Sequence, residues 1–238
     1  MKISLKSSLL LFLSLIVFLS CEDMWDKDHL FSYEEPRDGL MVYDCSNYKE
    51  WHFFSFDEDI IIGTCDALDE EAYASWYNRT DWDLAFHRQN IKANSGLSGV
   101  GLGGIQEYKQ DVFDYEAITQ APMTGYVTDV ADSVVYDLSQ MMAGIIIYAH
   151  TGVSQPVKDW AVLTDMMNGV WTYAQKAFIV RTASGKYAKI YLKNFKSKEG
   201  VSGTVTMEYT YQPDGTPNLL VEEEEEPENP GGENPENK

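Results

Sequence analysis

The chain has 238 residues, 44% of them hydrophobic and 13% aromatic, with a formal net charge of −20. That length allows one domain with a sizeable core. The acidic balance, with no basic stripe to meet phosphates, argues against a nucleic-acid partner.

MKISLKSS sets two lysines ahead of the apolar run LLLFLSLIVFL, which is short for a membrane span and ends at LSC. A charged start, a short apolar stretch and a small residue at the cut describe a secretory signal peptide over residues 1–20. Cys21 then stands where a bacterial lipoprotein is cut and acylated, so the membrane is reached through a lipid anchor only. EDMWDKD opens an acidic linker over residues 21–38. It resembles a tag that sends lipoproteins to the outer face of the outer membrane, and an ordinary solvated linker is the other reading. At the far end, VEEEEEPENPGGENPENK has repelling charges, prolines and glycines, and predicts a disordered acidic tail over residues 221–238. Residues 222–238 carry −7, residues 21–35 carry −5 and the signal +2, which leaves −10 for residues 36–221. The folded domain, residues 39–220, is acidic but ordinary.

Within it WHFFSF reads as a strand. DALDEEAYASWY is the single helical patch, with acids in its first turn. DWDLAFHR alternates with period two, and alternation puts Asp81 and Asp83 together on one face, the wet one. GVGLGG matches a dinucleotide fingerprint, but no helix of apolar period follows, so it reads as a flexible loop between strands. GIIIYAH reads as a strand buried on both faces. KAFIVRTASGKYAKIYLKNF is two strands joined at Ser184–Gly185, and GTVTMEYTY alternates again. No helix alternates with the strands, so the fold class is all-β, antiparallel sheets with one short helix.

Chemistry-bearing residues do not assemble into an enzyme. His29, His52, His87 and His150 are scattered, no serine sits in a nucleophile elbow, and Asp81 with Asp83 is a weak carboxylate pair. Cys45 and Cys65 allow either a disulfide or two buried thiols. Methionine is scarce, nine in all, yet four fall in two doublets: Met141–Met142 in QMMAG and Met166–Met167 in DMMNG. Packing is the ordinary fate of such residues. Their neighbours Gly144 and Gly169 place them in turns instead.

Taken together, YKEWHFFSF, DWDLAFHRQNIKANSGLSGVGLGGI, KYAKIYLKNF and SGTVTMEYTYQPDG resemble the HmuY family of haem-binding lipoproteins, over about Tyr43 to Tyr211. The resemblance implies an all-β fold that clamps haem between two loops. It also implies a surface protein that takes haem from host haemoproteins and hands it to a TonB-dependent outer-membrane receptor for iron acquisition, with possible homo-oligomerisation. The family's founding pattern uses two histidines as ligands. Here the first ligand loop falls near SQMMAG and the second near TDMMNG, so the chain resembles a subgroup that uses two methionines. Register with the subgroup favours Met167 in the second loop and Met142 in the first, with Met141 and Met166 beside them. Trp160 and Trp171 read as core residues, His87 as structural and His150 as a spare ligand. The rival reading is a surface binding or adhesion module on the same scaffold without haem.

Overall fold

A computed structural model describes residues 33–220. The expected signal peptide over residues 1–20, Cys21, His29, most of the expected linker and the expected acidic tail lie outside the described residues. In chain order the strands are β1 (Leu40–Asp44), β2 (Glu50–Ser55), β3 (Ile60–Asp66), β4 (Leu84–His87), β5 (Asn90–Ala93) and β6 (Gly104–Tyr108). They continue with β7 (Val130–Asp137), β8 (Ile147–Val153), β9 (Ala161–Asp165), β10 (Val170–Tyr173), β11 (Ala177–Arg181), β12 (Tyr187–Lys196) and β13 (Ser202–Gln212). One helix, α1 (Glu70–Tyr77), follows β3; Asp69 caps it by accepting the Ala72 amide, and Glu70 and Glu71 complement its dipole.

Every ladder is antiparallel. Five strands form one sheet in the order β1-β13-β12-β11-β6, and four form a second in the order β3-β2-β4-β5. Two further pairs, β7–β8 and β9–β10, stand as separate hairpins. Phe54, Leu84, Phe86 and Ile91 of the four-stranded sheet pack with Phe178, Val180, Ile190, Leu192, Val205 and Met207 of the five-stranded sheet in one main core. Each such side chain contributes about 1.5–3 kcal/mol of burial, which makes this layer the principal source of stability.

The four-stranded sheet is covered on its other face as well. Trp51, Phe53 and Ala85 point away from the main core and meet Trp76 of α1 and Val134, Ala149 and Val153 of the β7–β8 hairpin. Phe53 and Trp76 stack at 4.0 Å and 4°, a contact specific to ring geometry. The outer face of the five-stranded sheet is closed by Tyr115, Ile118, Ala121 and Leu219.

Two expectations are corrected here. Asp83 is buried, not on a wet face; its carboxylate accepts the amides of Phe56 at 2.9 Å and Ala183 at 2.9 Å. Asp81 alone is exposed, paired with Arg79. A period-two pattern cannot separate a wet face from one covered by a second layer. The other correction concerns GIIIYAH. Ile145 and Ile146 precede β8, and both are exposed along with Ile147 and Tyr148; only Ala149 of the strand's start is buried.

The glycine loop lies between β5 and β6, as expected, but it is closely packed. It wraps the buried Asn94, whose side chain accepts the Gly101 amide and donates to the Arg79 and Trp82 carbonyls. A Cβ at Gly101 or Gly103 would come within 2.6 Å of the Asn94 carbonyl oxygen, so the glycines serve close approach, with no phosphate involved. Cys45 and Cys65 are both buried and free, which resolves their open pairing.

Candidate functional site

Both methionine doublets sit at hairpin turns. Met141 and Met142 form a single 3₁₀ turn, Met141–Ala143, between β7 and β8, closed by Gly144 at φ 78°. Met166 and Met167 lie in the connection between β9 and β10, before Gly169 at φ 63°. These left-handed conformations are what glycine is needed for. A carboxylate at the end of each first strand holds its loop. Asp137 accepts the Ser139 amide at 2.7 Å. Asp165 accepts the amides of Met167 at 3.0 Å and Asn168 at 3.1 Å, and also the Asn168 side chain. Both carboxyls are held below their ordinary range, Asp165 chiefly by the Asn168 side chain and Asp137 chiefly by the Ser139 amide.

The thioethers project into solvent. Met142 and Met167 are each 96% exposed, against 81% for Met166 and 48% for Met141. Core packing, the ordinary role of methionine, is therefore not what holds any of the four in place. The exposed apolar surface continues from these tips along Ile145, Ile146, Ile147, Val162, Leu163 and Val170. Singly such residues mean little; here all six fall on the two hairpins that line one cleft.

Between the hairpins lies a cleft of about 380 Å³, a size usual for small-molecule sites. Val135 and Leu138 line it from the β7–β8 side, and Ala161, Val162, Leu163 and Trp171 from the β9–β10 side. Tyr48, Arg88, Gln89 and Asn90 supply polar groups from the strand connections beneath. Trp160 is buried under this floor, where its indole N–H donates to the Gln89 carbonyl at 2.8 Å and its ring packs with Tyr173 and Phe195. Trp171 packs edge-on against Phe195 at 4.7 Å while also facing the cleft. Trp160 is thus a core residue, and Trp171 divides its surface between core and cleft.

None of the described histidines lines the cleft. The His87 ring is fully buried beside Trp51, and its Nε2–H donates to the Tyr48 carbonyl at 2.6 Å. Burial pushes its pKa down to about 4. His150 is exposed and hydrogen-bonded through Nδ1 to the Ser133 hydroxyl at 2.8 Å, in a separate shallow depression. Among the described residues no three His, Cys, Asp or Glu side chains are gathered to hold a metal ion, and no helix is long and apolar enough to cross a membrane.

The HmuY protein family model matches residues 47–209. The chain belongs to the HmuY family. Solved structures with the same fold include a HmuY-like protein from Bacteroides vulgatus, described as haem-binding, at 24% identity and TM-score 0.58, covering 76% of this chain and 92% of that one. A lipoprotein from Bacteroides fragilis matches at 22% identity and TM-score 0.56, over 71% of this chain and 86% of the other. The apo HmuY analogue of Tannerella forsythia matches at 20% identity and TM-score 0.57, over 73% and 95%. No curated protein matches the chain. As a HmuY-family protein it belongs to a family of binding proteins, and its candidate site is the cleft with the two methionine-tipped hairpins.

Sequence reasoning found the doublets but missed Asp137, Asp165 and Arg88. The two aspartates carried a readable signal, an Asp two residues before the amide it accepts, as in DLS and DMM. Arg88 carried none.

Proposed function

We propose that this protein binds haem between the β7–β8 and β9–β10 hairpins, with Met142 and Met167 as the two axial ligands and Met141 and Met166 as their neighbours. The observation that carries the reading is the pairing of exposed thioethers at two hairpin tips with an apolar cleft between the hairpins. Side chains that are 96% exposed have sulfur free to bind a ligand, and the hairpin walls offer apolar surface to a flat macrocycle. Bound haem would supply an iron centre with an affinity for soft ligands. A thioether is such a ligand, neutral, and favours ferrous over ferric iron. Methionine takes up no proton near neutral pH, so ligation resists mild acid in a way that histidine would not. Its unbranched chain adapts to a cofactor that must later be released.

The wider role follows from the leader and the family. Lipid on Cys21 would hold the domain at the outer-membrane surface, where it takes haem from host haemoproteins and passes it to a TonB-dependent receptor. Supporting this are the signal-like residues 1–20 and the cysteine that follows them.

The test is a titration of the protein with haem under dithionite. A sharp six-coordinate ferrous Soret and Q-band spectrum is expected, lost in Met142→Ala and in Met167→Ala and kept in Met141→Ala and Met166→Ala. Exposed residues carry little of the fold's stability, about 0.5 kcal/mol or less, so lost binding will not reflect unfolding. Absence of the spectrum in the unaltered protein overturns the reading.

A further inference from the structure

The β4–β5 hairpin pairs His87 with Asn90, leaving Arg88 and Gln89 as a two-residue turn. Arg88 has φ 53°, a left-handed conformation that such turns usually assign to glycine or asparagine. Its side chain is also in an unusual place. It is only 7% exposed, with the guanidinium 4.1 Å from the Tyr48 ring and 5.4 Å from that of Phe195. Two donors are used: Nη1 donates to the Ser46 carbonyl at 2.9 Å and Nη2 to the Ser202 hydroxyl at 3.3 Å. Both acceptors are neutral. No carboxylate forms an ion pair with Arg88 among the described residues; Asp44 acts on it only through its field. Buried cations are ordinarily paired, because desolvating an unpaired charge is costly.

Arg88 lines the candidate cleft. The other cation there, Lys158, is already engaged with Asp132 at 2.5 Å, and the lining carboxylate Asp159 is exposed. The cleft thus has apolar walls and one buried guanidinium without an ion pair among the described residues, and the two hairpins that wall it carry the methionine turns.

We infer that Arg88 is the anion partner for the cleft's ligand, receiving a propionate carboxylate of the porphyrin, so that the macrocycle is held with its carboxylate edge towards the β4–β5 turn. This rests on the haem reading and adds an orientation to it. A planar fork of N–H donors suits a carboxylate, and the flanking rings of Tyr48 and Phe195 hold the fork in place. Asparagine or glycine would fit the left-handed turn position better but would leave the cleft without its charge.

The test compares ferrous protoporphyrin IX with its dimethyl ester, titrated into the full chain under dithionite in a mild detergent. In the unaltered protein the ester is expected to bind roughly tenfold to a hundredfold more weakly with the same spectrum, the loss of one charge-assisted hydrogen bond. In Arg88→Asn, which suits the turn, the two porphyrins are expected to bind alike. Equal affinities in the unaltered protein overturn the inference and leave haem binding standing, and this comparison needs no variant to fold. A preference for the free acid that survives in folded Arg88→Asn, or that vanishes in Lys158→Met instead, also overturns it. Binding of neither porphyrin overturns the haem reading along with it.

Discussion

Replacing Lys92 with methionine should stabilise the protein, and by an amount that falls as pH rises. Lys92 lies on β5 with no exposed surface, beneath the β7–β8 hairpin, and its ammonium has no hydrogen-bond partner. It is 4.0 Å from the centre of the Trp51 ring and 4.2 Å from that of Tyr73. Burial pushes its pKa from an ordinary 10.5 down to about 7, with Cys65 and Asp129 opposing that shift. In the unfolded chain the group stays protonated up to its ordinary value, so folding below pH 7 must either strip a proton or bury a charge. At 1.36 kcal/mol per pH unit, the lysine opposes folding by up to about 5 kcal/mol at pH 6 and about 2 kcal/mol at pH 9. Methionine fills the same channel between the rings without titrating. The gain for Lys92→Met should therefore shrink by about 3 kcal/mol between pH 6 and pH 9. Asp129 acts in the same direction. Its carboxyl is buried, bonded to the Ala93 amide and the Ser98 hydroxyl, and pushed up to about 7. Losing the nearby cation pushes it higher, which lowers the variant's stability further as pH rises. Denaturant unfolding of both proteins at pH 6, 7.5 and 9 measures the difference. A gain that stays constant across that range, or a loss at pH 6, refutes the reasoning.

Two further outcomes concern the fold. His87 is buried and neutral with a pKa of about 4 against an ordinary 6.5, so the unfolded chain takes up its proton first as pH falls. Stability should drop by about 3 kcal/mol between pH 6.5 and pH 4, and unfolding curves of His87→Gln should lack most of that loss. Cys45 and Cys65 are buried as free thiols, and burial raises the Cys65 pKa to about 11. In a Cys21→Ser chain, a thiol reagent should label them only at the rate of global unfolding, and a reductant should leave the melting temperature unchanged.

Local rules reached the hairpin turns and the acidic first turn of the helix because their causes are local. Glu70 and Glu71 open α1, Ser184–Gly185 turns β11 into β12, and Gly144 and Gly169 end the methionine turns through their own backbone conformation. The same rules failed at Asp83 and at Ile145–Ile147. In DWDLAFHR the polar residues alternate as they would on a half-wet strand, yet Asp83 is buried and held by the amides of Phe56 and Ala183, both distant in the chain. In GIIIYAH an apolar run that reads as core projects on a hairpin instead. Neither outcome depends on residues nearby in the chain.

Composition, period and turn chemistry by themselves determined that the chain makes antiparallel strands with one short helix, and that its methionine doublets sit in turns. Those properties follow from φ/ψ preference and side-chain alternation over a few residues. Which faces are covered, how the two doublet hairpins come to border one apolar cleft, and how Arg88 comes to be buried at its floor were decided by the tertiary structure. Each depends on the packing of strands far apart in sequence, such as the turn at Arg88 against Ser202, and no short-range pattern encodes such contacts.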